Sequence, residues 1–382
     1  MIDVAGLVPG ASEGRGLGNK FLDDLRHADV LIHIVDSSGT TDENGKATKG
    51  YDPTNDIEWL RSEIHAWIFN NLNKKWDAIV RRHIATKSTS ANTFQTQLSG
   101  YGTSKEIIVE SLGGDYGKTP LKDWTSDFLY DFVFKFIDVR FPTVIALNKI
   151  DHPDSDTNIT RIIKYYTSAN KKSMSNNPSE ESKDKIMVHG VDPDRIVLTS
   201  ALSECYLKLL AKQNYIIYNT GDEDFISLED DPSLSDRLVS FDNNVADELE
   251  RIRDLVLYRY FSTGTQQAII KAVETLNMIP VYPVKKIPTI LPNSSPEDFS
   301  KVNGEKSIFR DVILVKSGTT VKQFAEILGD DFAKNFNGAE SIGGLQLGED
   351  DVIVPGKNNV ISIKTKYSSI KTSSKAPTKP SN

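Results

Sequence analysis

Three short apolar runs each close on a polar residue: Val30–Val35 before Asp36, Thr143–Leu147 before Asn148, and Ile196–Leu198 before Thr199. Unbroken apolar strands separated by helical stretches predict an α/β fold with a parallel sheet covered on both faces. Ligands of such sheets sit beyond the carboxyl ends of the strands. The latter two runs each deliver a candidate ligand-reading string at that end. His33, inside the first run, is expected to be packed rather than to act as a ligand.

Between Asp52 and Pro142 the pattern turns helical. Ile57, Leu60, Ile64, Ile68, Leu72, Trp76 and Ile79 recur at three- and four-residue spacing and predict one apolar stripe, capped by Asn55 and Glu58. Thr103 and Glu106 have capping-box spacing, and that helix is expected to stop at Gly113-Gly114. Trp124, Phe128, Phe132 and Phe136 predict an aromatic helix that ends before Pro142. This block is read as a helical arm inserted into the α/β domain. Beyond it, Ser173–Lys185 is a polar loop, Gly221–Ser235 is acidic and turn-rich, and helices are expected over Asn244–Tyr260 and Gly264–Leu276. From Pro280 the texture changes. Pro280–Val284 opens this part, and strand-like Val312–Val315, Asp351–Val354 and Val360–Ile363, with a helix over Val321–Leu328, predict a small α+β module. Tyr367–Asn382, rich in Ser, Thr, Lys and Pro, is expected to be disordered.

Composition narrows the class. With 38% hydrophobic and 26% charged residues and no apolar run near 20 residues, a globular protein without membrane partners is expected. The single cysteine, Cys205, cannot form an internal disulfide, which fits a reducing compartment such as the cytoplasm. It lies in an apolar helical stretch and is expected to be buried. Net charge is −8, but Ile279–Asn382 carries 14 Lys and Arg against 11 Asp and Glu, so any polyanion contact is expected at that end.

Three strings carry chemistry. Asp3-Val4-Ala5-Gly6 has the form Asp-x-x-Gly, in which the Asp holds Mg²⁺ through water and the Gly amide meets a γ-phosphate. Asn148-Lys149-Ile150-Asp151 is the most specific. Its Asp carboxylate suits the two parallel donors on guanine's edge, which adenine lacks. Its Lys stem suits the face of the base, and its Asn ties the loop together. Thr199-Ser200-Ala201, at the next strand end, offers a backbone N–H for the guanine oxygen. A site built of such buried polar groups rejects the wrong base because unmatched partners stay desolvated.

Asp3–Phe21, the sequence DVAGLVPGASEGRGLGNKF, resembles the Obg/YchF branch of GTP-binding translation factors. Asp56-Ile57-Glu58 leading the arm and Tyr282-Pro283-Val284 leading the last module are similar to the same family. The resemblance is strongest to archaeal and fungal members that keep Asn-Lys-x-Asp. It implies an OBG-type G domain over 1–53 and 141–277, an arm over 54–140, a TGS domain (a ubiquitin-like β-grasp) over 278–366 and a tail over 367–382. It also implies Mg²⁺ with GTP or GDP, a slow GTPase switch, and association with the ribosome or RNA rather than DNA. Leu7 stands where Ras-like proteins place a water-orienting Gln, so hydrolysis must borrow a group from elsewhere. No G-x-x-x-x-G-K-[ST] phosphate loop occurs in the sequence. Gly113–Thr119 falls one residue short of it and reads as a helix-ending loop. A truncated chain start is the simplest expectation. The alternatives are a nucleotide-independent RNA- or ribosome-binding protein and a non-functional fragment.

Overall fold

A computed structural model describes residues 1–4, 23–43, 45–174, 191–285, 287 and 311–366 of the 382-residue chain. The chain divides into two compact units, Met1–Thr275 and Leu276–Asn382.

The first unit is α/β. Strand β1, Leu31–Asp36, leads through a turn-rich loop into five helices of seven or more residues: α1 Thr54–Asn73, α2 Trp76–Thr86, α3 Ser90–Leu98, α4 Lys105–Ser111 and α5 Ser126–Arg140. Strand β2, Thr143–Asn148, follows, then helix α6, Ser155–Met174, strand β3, Ile196–Leu198, and helix α7, Ala201–Lys212. β1, β2 and β3 form a parallel sheet in that spatial order. Register places Asp36 beside Asn148 and Leu147 beside Leu198, so the three strand ends lie level. A short hairpin, β4 Ile216–Ile217 with β5 Ile226–Ser227, precedes helix α8, Asn243–Ile252, which continues through one π turn at Arg253–Leu257. Helix α9, Thr265–Thr275, closes the unit.

The helical arm has its own core, with Ile68, Phe94, Leu98, Ile108, Leu129, Phe132 and Phe136 all fully buried. Trp124 stacks on Trp76 with centroids 5.8 Å apart and meets Phe132 edge-on at 5.1 Å. Offset and edge contacts of this kind add about 0.5–1.5 kcal/mol each beyond area burial. The Trp124 indole N–H is satisfied by Thr119 O at 3.0 Å. Arg140 at the end of α5 is buried and donates to the carbonyls of Tyr101, Ala28 and Arg26, fastening the arm to the segment before β1.

Several expected boundaries differ. The Ile57–Ile79 stripe is two helices, because Leu72 ends one buried row and the polar Asn73-Lys74-Lys75 tightens into a turn, with Lys75 N–H donating to Leu72 O. Asp52, not Asn55, meets the first turn of α1: its carboxylate accepts from the Thr54 amide. Ser104, not Thr103, caps α4, accepting from Ile107 N. The Gly113–Thr119 stretch contains a one-turn helix, Asp115–Lys118. Helix α6 runs to Met174; the rest of the expected 173–185 loop and the 367–382 tail lie outside the described residues. Cys205 is exposed, not buried. α7 turns Ser203, Glu204, Leu207 and Leu210 inward, which leaves Leu202, Cys205 and Leu209 on the opposite side.

The second unit is a mixed five-stranded sheet carrying helix α10. In chain order these are β6 Met278–Pro283, β7 Ile313–Lys316, α10 Val321–Leu328, β8 Phe336–Ser341, β9 Leu345–Leu347 and β10 Val360–Thr365. Spatial order is β7-β6-β10-β8-β9, with β6 and β10 parallel. Phe324, Val321, Val281 and Ile361 are buried at its centre. Asp351–Val354 is not a strand. It makes a single bridge from Val352 to Thr320, and the Asn358 side chain takes Val352 O and Val354 N.

His33 faces a seam lined by Leu31, Ile57, Leu60 and Arg61. Burial pushes its imidazole down from 6.5 to about 4, so it is neutral at physiological pH. The unfolded chain then takes up the proton first as pH falls. Stability is full above about pH 6.5 and is lost by about 3 kcal/mol down to pH 4. His33→Val is expected to flatten that slope. Urea unfolding followed by tryptophan fluorescence between pH 6.5 and pH 4 checks it.

Candidate functional site

The carboxyl ends of β1, β2 and β3 deliver Asp36, Asn148 and Thr199 side by side. The loops that follow are tied together by hydrogen bonds, with Ile150 of the second loop buried in the core. Ser37 donates through both N–H and Oγ to Asn148 O, at 3.0 and 2.6 Å. Thr199 N–H donates to Leu147 O at 2.8 Å, and Ile150 N–H donates to Thr199 O at 3.3 Å. The Asn148 side chain bridges to the third loop, its Oδ1 accepting from Ala201 N–H at 3.0 Å. Asn148 is thus the tie that the sequence assigns to it, and the Ala201 amide is already engaged.

Asp151 is half-buried. Its Oδ1 accepts from Ser200 Oγ at 2.6 Å, and its Oδ2 has no hydrogen-bond partner among the described residues. One carboxylate oxygen is therefore oriented by the protein and the other is open. Ser200 is fully buried, and its Oγ also accepts from Ser203 N–H at the start of α7. Lys149 has a left-handed backbone, φ +68°, unusual for a side-chain-bearing residue. Its carbonyl accepts from Ser155 Oγ at 2.7 Å and His152 N–H at 3.0 Å, which holds the turn. The Lys149 ammonium donates to Asp36 Oδ2 at 2.7 Å.

The structure thus brings Asn148, Lys149, Asp151, Thr199, Ser200 and Ala201 together. Asp3 is exposed and makes no hydrogen bond or ion pair to this cluster among the described residues. Gly6, Leu7 and the glycine-rich 14–19 segment lie outside the described residues.

Two features of the site were not read from the sequence. The turn Ser262-Thr263-Gly264 backs the third loop: Thr263 O accepts from Ser200 N–H at 2.8 Å. Glu204, 6% exposed, holds that turn through Oε2, which accepts from Thr263 Oγ1 at 2.6 Å and Tyr218 OH at 2.7 Å. Burial and the Glu204 carboxylate push the Tyr218 hydroxyl well above its usual value, so it stays a donor. The only sequence signal was an acid four residues into an apolar helix. The second feature is Asp36, a strand terminator whose partner lies 113 positions away.

Comparisons with known proteins bear on the family of the chain. The family model described as "Obg-like GTPase YGR210-like, G4 motif-containing domain" matches residues 168–286, a span that includes Thr199–Ala201 and the Thr263-Gly264 turn. A GTP-binding protein of Schizosaccharomyces pombe is 45% identical over 367 residues, covering 95% of this chain and 79% of its own. A GTP-binding protein of Methanocaldococcus jannaschii is 35% identical over 341 residues, covering 88% and 73%. The crystal structure of a GTP-binding protein from Pyrococcus horikoshii superposes with a TM-score of 0.61 at 29% identity, covering 90% of this chain and 81% of that one. The chain belongs to the Obg/YchF-type GTP-binding proteins. Among the described residues no helix is long and apolar enough to cross a membrane.

Proposed function

We propose that the guanine base is read at the joined ends of β2 and β3. Asp151 accepts from the base edge, Asn148 holds the two loops together, and the Lys149 stem covers the ring. Thr199, Ser200 and Ala201 form the wall behind the base. The observation that carries this reading is the half-satisfied Asp151 carboxylate, oriented by Ser200 and open at Oδ2. A guanine oxygen would share or displace Asn148 Oδ1 at the Ala201 amide.

The wider reading follows from the family. Residues 1–53 and 141–277 form an OBG-type G domain, 54–140 its helical arm and 278–366 a TGS domain. The nucleotide is GTP or GDP with Mg²⁺. Asp3, exposed and with no hydrogen bond or ion pair among the described residues, fits a water-mediated hold on Mg²⁺, with Gly6 at the γ-phosphate. A single carboxylate is a weak cation site, so the phosphates would carry most of the coordination. The protein works as a slow GTPase switch in the cytoplasm and associates with the ribosome or RNA.

Equilibrium binding of a fluorescent GTP analogue to the 382-residue chain tests the reading. Micromolar or tighter binding, displaced by GTP and GDP but not by ATP, is expected. Failure to bind, or equal displacement by ATP, would overturn it. Co-sedimentation with ribosomes, with and without nucleotide, tests the partner.

A further inference from the structure

The Asp36–Lys149 contact is an unusual ion pair in where it puts its exposure. The Asp36 side chain is only 14% exposed, whereas that of Lys149 is 44% exposed although its ammonium is bound. The ammonium is held against a largely buried carboxylate, while nearly half of the Lys149 side-chain surface stays exposed. The anchor is itself held by several donors. Asp36 Oδ1 accepts from the Ser38 amide at 3.0 Å and Ser38 Oγ at 2.5 Å, and Oδ2 accepts from Thr41 Oγ1 at 2.6 Å as well as from Lys149. Burial by itself would raise this carboxyl, but the Lys149 ammonium and the Ser38 and Thr41 donors outweigh it and hold it at about 2. The other end of Lys149 is fixed too, through its left-handed backbone and its carbonyl bonds to Ser155 and His152.

A lysine held at both ends, with nearly half of its side-chain surface exposed, can offer its methylene stem as an apolar strip of set position. We infer that Asp36 is a positioning residue of the nucleotide site, freezing Lys149 so that its stem presents a preformed surface to the purine ring. This inference rests on the reading of Lys149 given above. Freezing the side chain before the ligand arrives removes an ordering cost from binding, which raises affinity without adding a contact to the ligand. The bland alternative is that Asp36 serves only its own turn, where Ser38 and Thr41 already satisfy it, and that Lys149 is a bystander. Exposed ion pairs are often energetically empty, so the alternative has to be separated by experiment.

Asp36→Asn keeps one oxygen for the two Ser38 donors and removes the charge that holds the ammonium. Guanine nucleotide binding to the full chain is expected to weaken about tenfold, the weight of one to two frozen side-chain rotors. In a Lys149→Met background the same substitution is expected to change affinity by less than about twofold, since the group it acts through is gone. The preference for GTP over ITP, set at the base edge by Asp151, is expected to stay unchanged. Equal weakening in both backgrounds, or none in the native one, overturns the inference. A second measurement needs no nucleotide. Limited acetylation read by mass spectrometry is expected to modify Lys149 slowly in the native chain and several-fold faster in Asp36→Asn, with Lys74 and Lys75 as exposed references. An unchanged Lys149 rate also overturns the inference. If the native chain binds no guanine nucleotide, the proposed function falls on that result, while the acetylation rates still decide the anchor.

Discussion

Gly264→Ala is expected to destabilise the first unit by about 3–5 kcal/mol, the sum of left-handed strain and an unrelieved clash. Gly264 has φ +74°, and a Cβ there would lie 1.7 Å from Leu198 O, 2.8 Å from Leu198 C and 3.2 Å from Thr199 Cα. All three are backbone atoms, so no side chain can swing away. Either the end of β3 moves or the turn does. Both routes disturb the bond from Ser200 N–H to Thr263 O and the grip of Glu204 on Thr263. The wall proposed to stand behind the base is therefore lost along with stability. Gly50→Ala is the control: Gly50 has φ +70° but nothing within 4 Å of its added Cβ. It is expected to cost only about 1 kcal/mol of backbone strain. All four tryptophans, Trp59, Trp67, Trp76 and Trp124, lie in the first unit, so urea unfolding followed by tryptophan fluorescence reports on that unit alone. Matching midpoint shifts for the two variants would show that the tight turn behind the third loop does not exist.

That turn marks the limit of what the sequence showed. The three apolar runs were legible because each is short, unbroken and closed by a polar residue, and the structure pairs them in one parallel sheet. Asn148–Asp151 and Thr199–Ala201 were legible because they follow such strands directly. What escaped notice depends on the third dimension. Nothing local distinguishes Glu204 from a solvent-facing helical acid until Tyr218 and Thr263 close over it. Asp36 ends a strand in the sequence, and only register brings it to Lys149. β8 was missed because Asn337, Gly338 and Glu340 break any apolar alternation, and only Ala339 and Ser341 are buried. Asp351–Val354 failed in the opposite sense. It has strand composition, but Val321 N–H takes Asp351 O and Thr319 O takes Ile353 N–H, so loop contacts satisfy its backbone. Cys205 shows the same gap on a helix: apolar composition did not say which face turns inward.

The strongest effect on specificity is expected from Asp151→Asn. Guanine offers a ring N–H and an exocyclic amino group in parallel, and a carboxylate accepts both. A carboxamide has one acceptor and one donor, so its NH₂ would face the guanine amino group donor to donor. Two charge-assisted bonds are weakened or lost at about 1.5–3 kcal/mol each, and GTP affinity is expected to fall by about 10²–10⁴-fold. Xanthine carries an oxygen where guanine has the amino group, which suits the carboxamide donor, so XTP should bind the variant better than GTP does. The change should leave folding nearly intact. Ser200 Oγ donates to Oδ1, which an Asn can present unchanged, and Oδ2 carries no described hydrogen bond to lose. Competition between GTP and XTP for a fluorescent guanine nucleotide, on the native and substituted chains, measures the switch. A variant that keeps the native order of GTP over XTP would remove Asp151 from the base edge, and with it the reading of the crevice between β2 and β3 as a guanine site.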